Sequence, residues 1–350
     1  MPERARQRAH GLAPRIALAG GAAIVTLLAV ELGIRVFDSL HPEPTLGDVI
    51  AKVEPLHEGA VGRWLHALRV DPNERIAYGL RPSFDATIEF GETPARLTTN
   101  SFGFRGREWP REKPKGTARI VGLGDSLMMG HGVAAEATYL AQLEAELDRG
   151  SPEVPFEVLN LAVGGYNPTQ EVATLREVGV GFGPDLVLVN LVENDQNGII
   201  YRTAPLDPWT PRRSLLLDAL TKGTGANEVR YGGWGAARDA MRDLASLRRE
   251  RGFEVLVFCV VSSPETKRLL QISSEEGLRS RDLGPALDQH MRELGIPNYY
   301  ASEYVLGPHD AHPSAKHHHL IEQDLLKLLE SEKLLDFCRD RVRGGAPPSK

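Results

Sequence analysis

The strongest constraint on the fold of this chain is a rhythm that begins at Ala118. Apolar runs at Arg119–Leu123, Phe156–Ala162, Leu186–Leu191 and Val255–Val261 alternate with stretches of helical spacing. Tyr139–Asp148 carries Leu140, Leu143 and Leu147 on one helical face. Pro168–Val180 opens with a proline suited to a first helical turn. Ala236–Glu250 brings Ala237, Met241 and Leu244 into phase, and Leu283–Leu294 and Ser314–Leu329 read as further helices. Strands that are apolar on both faces and alternate with helices make a parallel sheet covered on both sides. Ligands of such sheets bind beyond the carboxyl ends of the strands, so chemistry is sought there.

The chain before this region has another character. Residues 38–115 hold Pro42, Pro44, Pro55, Pro72, Pro82 and Pro94, with one alternating stretch, Ala86–Phe90. They read as a loop-rich leader or linker with short strands, closed by the polar segment Arg111–Gly116. At the start, Arg4, Arg6, Arg8 and Arg15 precede an uncharged run, Ile16–Val30, whose apolar character continues past Glu31 and Arg35 to Phe37. A membrane span needs about 20 residues, and an arginine near one end can reach back to the interface. Residues 15–37 are therefore expected to be a transmembrane signal anchor, with 1–14 a basic cytoplasmic tail and the rest outside the cytoplasm. A cleaved signal peptide is the rival reading, although no small-x-small pattern follows Val30. Residues 336–350 are expected to form a flexible tail.

A net charge of −6 without a basic stripe or zinc-ligand spacing argues against nucleic acid as a partner. Two cysteines make no disulfide framework, and Cys259 lies inside an apolar run as a buried thiol would.

Four segments at strand ends carry chemistry. Ile120-Val121-Gly122-Leu123-Gly124-Asp125-Ser126 can set a serine on a tight strand-to-helix turn. Asn160-Leu161-Ala162-Val163-Gly164-Gly165-Tyr166 offers a glycine N–H that approaches a substrate oxygen closely. In Val189-Asn190-Leu191-Val192-Glu193-Asn194-Asp195, Asn194 can donate a side-chain amide or close an Asx turn. His309-Asp310-Ala311-His312-Pro313-Ser314 supplies a base and a carboxylate that can fix its tautomer. Singly, each is also an ordinary turn.

Together, in this order and spacing, they resemble the SGNH (GDSL-type) hydrolase family, over about residues 98–332. The lead-in Thr99-Asn100-Ser101-Phe102-Gly103-Phe104-Arg105-Gly106 is similar to the segment before the catalytic domain in membrane-anchored bacterial members. The Gly-x-Ser-x-Gly elbow of α/β-hydrolases is absent, Met128 standing at its second glycine. The resemblance implies a three-layer α/β/α sandwich with a mostly parallel, five-stranded, flavodoxin-like sheet over residues 116–335. It implies Ser126 as nucleophile and His312 as general base. The implied oxyanion donors are the Ser126 N–H, the Gly165 N–H and the Asn194 amide, and no metal or cofactor is called for.

Two positions depart from the family pattern. Val192-Glu193 stand where a glycine-containing block is usual, and His309 stands three residues before His312, where an aspartate is usual. Asp310, two before, is the expected third triad member, an Asp-x-His spacing also met in polysaccharide O-acetyltransferases. The implied activity is hydrolysis of carboxylic, O-acetyl esters on an envelope carbohydrate or lipid, in a single-pass protein of the bacterial inner membrane. O-acetyl transfer and an inactive anchored binding module are the alternatives. His317, His318 and His319 are consecutive on a helix and so diverge rather than converge on a metal; they are expected as a polar first turn. The long connection 196–235, with Tyr201, Trp209, Tyr231 and Trp234, is read as either a lid whose rings stack on sugars or satellite core.

Overall fold

The computed structural model describes residues 2–42, 44–53, 61–90, 93–150, 153–201, 209 and 231–344. The chain divides into two compact units, Met1–Thr45 with Ala204–Glu228, and Leu46–Thr203 with Val229–Lys350.

The first unit is built on one helix, Pro2–Leu40. Its section Leu18–Leu40, 23 residues with mean hydropathy 1.7 and none of it buried, is long and apolar enough to cross a membrane. Arg35 pairs with Glu31 one turn earlier at 2.7 Å, so these two charges offset each other. Trp209 lies in the same unit and donates its indole N–H to Ser39 Oγ at 2.9 Å. Most of the long connection, residues 202–208 and 210–230, lies outside the described residues, as do 345–350 of the tail.

The second unit opens with strands β1 (Val61–Arg63), β2 (Leu68–Val70), β3 (Tyr78–Leu80), β4 (Asp85–Phe90) and β5 (Thr93–Thr98). β4 pairs antiparallel with β5 and parallel with β1, and β2 pairs antiparallel with β3. Leu68, Tyr78, Leu80, Ile88, Phe90 and Leu97 are buried and belong to one core with the strands that follow. The polar segment after them is tied down as well. Lys113 Nζ lies 2.7 Å from both oxygens of the buried Asp185, and the Arg111 guanidinium covers the Phe182 ring at 5.2 Å. The described residues of 46–115 thus pack within the unit rather than forming a spacer before it.

The central sheet comprises β6 (Ala118–Gly124), β7 (Phe156–Asn160), β8 (Leu186–Asn190), β9 (Glu254–Cys259) and β10 (Arg279–Asp282), in the order β10-β9-β8-β6-β7, with every pair parallel. Counted from β6, that is the doubly wound 2-1-3-4-5 order. All residues of β6, β7 and β8 are buried, as a sheet covered on both faces requires. Helices Tyr139–Gly150, Gly284–Glu293, Ala315–Ser331 and Leu334–Val342 form one layer; Pro168–Glu177, Gly233–Arg251 and Pro264–Glu275 form the other. β10 is an edge strand of charged and hydroxyl side chains, Arg279-Ser280-Arg281-Asp282, which explains why no apolar run announces it.

The expected tail from residue 336 is corrected in its first part. Leu334–Val342 is a helix whose Leu334, Leu335 and Cys338 are buried against the sheet, and Arg341 Nε reaches Asp185 at 3.1 Å. An apolar stripe of three residues in a short, charged segment was the only sign of it. Cys259 and Cys338 are both free and buried. After the sheet, β11 (Val305–Gly307) and β12 (Asp310–Pro313) form an antiparallel ribbon.

Candidate active site

The chain order of the sheet reverses between β6 and β8, which opens a crevice at the carboxyl end of β6. Gly124 closes that strand in a space where a Cβ would lie 2.8 Å from Met128 Cβ, so a larger residue would push the following turn away. Asp125 caps the short helix Ser126–Met129 by accepting the Leu127 N–H at 2.9 Å. Burial raises the Asp125 carboxyl, opposed by that N–H and by His312. Ser126 therefore begins a helical turn at the edge of the crevice.

Three of the sequence-predicted residues meet here directly. Ser126 Oγ lies 2.9 Å from His312 Nε2. His312 Nδ1 lies 2.6 Å from Asp310 Oδ1, and the same oxygen accepts the His312 backbone N–H at 3.0 Å. Burial pushes the Asp310 carboxyl up, but the backbone and ring N–H groups of His312 more than offset it, leaving it below its ordinary value. An ionised Asp310 holds the proton on Nδ1 and leaves Nε2 as the acceptor for the serine hydroxyl. The hydroxyl also lies 3.2 Å from Asp125 Oδ2, a longer contact than the one to the histidine.

Gly165 has the left-handed φ of 79° that a glycine adopts freely. A Cβ there would meet Ile200 Cδ1 at 2.5 Å and Tyr78 Oη at 3.0 Å. Its neighbour Gly164 is the glycine with Ser126 among its contacts, a Cβ on it lying 3.8 Å from Ser126 Cβ and 3.1 Å from Trp64 Cζ2. Asn194 is exposed in the turn after β8, and its side chain has no hydrogen-bond partner among the described residues. The Asx role in this turn falls to Asp195, whose Oδ2 accepts the Val192 N–H at 2.8 Å. No bond joins Asn194 to the other four residues.

Several residues of the quoted segments take part without having been assigned a role from sequence. Asn160 donates its amide to the Met128 carbonyl at 3.0 Å, tying β7 to the Ser126 turn. Arg105, from the lead-in motif, is buried and donates to the carbonyls of Met129, Gly130 and Val133. Asn100 of the same motif shapes the loop before it, its Oδ1 accepting the N–H groups of Phe102 and Phe104 at 3.0 and 3.1 Å. The motif is thus a clamp on the serine turn. Burial lowers the Arg105 guanidinium to about 10, and it remains a cation at neutral pH. Beyond it, His131 stacks on His312 with ring centroids 4.0 Å apart, and Phe90 meets His131 edge-on at 4.4 Å.

The histidine run is less polar than expected. His317 and His318 are buried, His317 within 3.0 Å of the Tyr299 hydroxyl and His318 accepting the Tyr139 N–H; His319 is exposed and binds Gln142. Their partners lie in three directions. Tyr201 and Trp234 are partly buried against the core. Among the described residues, one set of ligating atoms lies close enough for an ion, that of His131, Asp310 and His312. The two rings are stacked at 18°, so their in-plane lone pairs run side by side rather than meeting at one point.

No protein-family model and no curated protein matches the chain. Among solved structures it is similar to a catalytic mutant of an acetylxylan esterase from Geobacillus stearothermophilus, at 14% identity over 60% of this chain and 93% of that one, with a TM-score of 0.43. It is similar to a lipase/acylhydrolase from Enterococcus faecalis, at 16% identity over 61% and 96%, with a TM-score of 0.40. It is also similar to a GDSL-like lipase from Parabacteroides merdae, at 14% identity over 63% and 97%, with a TM-score of 0.42. At such identities the activities of those proteins are theirs alone, and the function of this chain is read from its own site.

Proposed function

We propose that this chain is a serine ester hydrolase acting on O-acetyl or similarly small carboxylic esters of an envelope carbohydrate or lipid. The observation that carries the reading is the relay Ser126–His312–Asp310, with contacts of 2.9 and 2.6 Å at the carboxyl end of β6. His312 takes the proton of Ser126 as Oγ attacks the ester carbonyl, and Asp310 steadies the imidazolium. The Ser126 N–H, the Gly165 N–H and the Asn194 amide take the oxyanion, with Gly164 shaping the same turn. His312 then gives its proton to the leaving alcohol, and water resolves the acyl-enzyme through the same base. Nothing in this sequence of steps calls for a bound metal.

In this reading the helix Pro2–Leu40 anchors the chain in a bacterial inner membrane, with the basic end cytoplasmic and the catalytic unit outside. Residues 116–335 are the catalytic domain, and residues 46–115 complete its core. The Asp310-Ala311-His312 spacing favours one second reading, acyl transfer to a sugar hydroxyl.

The test is product analysis with an acetylated glycan, with and without an acceptor sugar, alongside fluorophosphonate labelling of Ser126. Released acetate together with a labelled serine is expected. Acetate that moves to the acceptor instead selects the transferase reading, and an unlabelled Ser126 discards both.

A further inference from the structure

The relay as described leaves one carboxylate oxygen unaccounted for. Asp310 Oδ1 takes both bonds from His312, while Oδ2 faces His131 Nε2 at 3.5 Å. His131 sits on the turn just after the nucleophile helix, and its own N–H donates to the Ser126 carbonyl at 2.9 Å. Its ring lies flat on that of His312 and is backed by Phe90 of β4, which in turn lies 5.9 Å from the Trp64 ring. Burial, and then the neighbouring His312, push the His131 imidazole down to about 4. Asp310 pulls it up, Arg105 pushes it down further, and the ring is neutral at the pH of any ordinary assay. A neutral imidazole has one N–H to give. Directed to Oδ2, it fixes the second oxygen of the carboxylate, so the first cannot swing away as charge develops on His312.

Resting on the triad reading above, we infer that His131 is a positioning residue of this enzyme. Stacked beside His312, it faces the carboxylate oxygen that His312 leaves free and so links the serine turn to the base. It need not touch substrate. The proton-transfer chain stays Ser126 to His312, and His131 neither gains nor loses a proton in it.

A double-mutant cycle on the full chain in detergent tests this, read as p-nitrophenyl acetate hydrolysis and as the rate of fluorophosphonate labelling of Ser126. H131A is expected to lower kcat and the labelling rate about tenfold, with KM within about twofold. H131F keeps the stacked ring but loses the N–H, and should fall equally. H131Q, which restores an amide donor, should recover part of the loss. In a D310N background, H131A should change the rate by less than about twofold, because the group it acts through is already disabled. The full tenfold loss persisting in D310N would overturn the inference, as would wild-type rates in H131F. Activation by zinc that vanishes in H131A would assign the three side chains to an ion instead. A D310N protein with the wild-type rate would overturn the triad reading itself, and this inference with it; intact D310N dependence with no His131 coupling would overturn only the latter.

Discussion

The proposed nucleophile and the proposed base come from unlike parts of the fold. Ser126 sits two residues past β6, every residue of which is buried, and its turn is held by Asn160, Arg105 and the Asp125 cap. His312 sits on a ribbon of two short strands that, among the described residues, pair only with each other, with the His312 side chain a third exposed. The serine is placed by the sheet, and its position follows from strand order. The histidine is placed by side chains, namely Asp310 at its Nδ1 and the His131 ring stacked on its own, which Phe90 backs in turn. A rigid element sets one half of the relay, and contacts between loops set the other. The lesson is that damage should take different forms on the two sides.

The largest effect expected is on the chemistry itself. Ser126→Ala should lose about 10⁴-fold or more in kcat with an unchanged melting temperature. His312→Ala should lose as much, and the double variant no more than either alone, because the pair acts as a unit. Additive losses in the steady-state rates would mean that the two residues act separately.

Next comes Asn194→Ala, which removes the proposed oxyanion donor on the strand side and should cost about 10²–10³-fold in turnover. Asn194 is exposed and its side chain has no bonded partner among the described residues, so thermal unfolding should not register the change.

Arg105→Met shifts attention from activity to stability. It strips the carbonyls of Met129, Gly130 and Val133 of a buried charged donor. Urea unfolding should show a loss of about 3 kcal/mol, since hydrogen bonds from a buried cation are among the stronger ones. Activity should fall with it, because His131 rides on the same turn.

The smallest effect concerns pH. Burial lowers His318 to about 3 and His317 to about 4. Above the unfolded histidine value of about 6.5 both states are neutral and nothing is gained or lost. As the pH falls below it, the unfolded chain takes up protons that the folded chain refuses, so stability declines from about 6.5 down to about 4. Buried carboxyls whose values are raised, Glu171 and Asp195, act in the opposite sense and favour the folded state as the pH falls through the acid range. Melting curves of His318→Gln should therefore show a shallower decline between pH 6.5 and 4 than those of the unaltered chain. An identical slope would mean that His318 is protonated in the fold.

The two halves also differ in how far they could be read from residues alone. β6, β7, β8 and β9 were legible because a strand buried on both faces must be apolar throughout. The turn after β6 was legible because Gly124, Asp125 and Ser126 each meet a local backbone need. Asp310 and His312 were legible as a pair by their closeness in sequence and the Asp-x-His spacing, while the strand that returns both side chains to one face was not. β10 was hidden because an edge strand needs no apolar side chains. The helix Leu334–Val342 was hidden because its three buried residues are outnumbered by charges.

The sequence by itself determined the parallel sheet and the end of it at which chemistry is expected, since both follow from local periodicity, while the proposed serine, histidine and aspartate were pointed to by the resemblance of four strand-end segments taken together. Only the tertiary structure decided that residues 46–115 belong to the same core, that Arg105 clamps the serine turn, and that His131 faces the free oxygen of Asp310. Those contacts join positions 24 to 179 residues apart along the chain. No local pattern encodes such pairings, because they exist only once the sheet has brought its loops together.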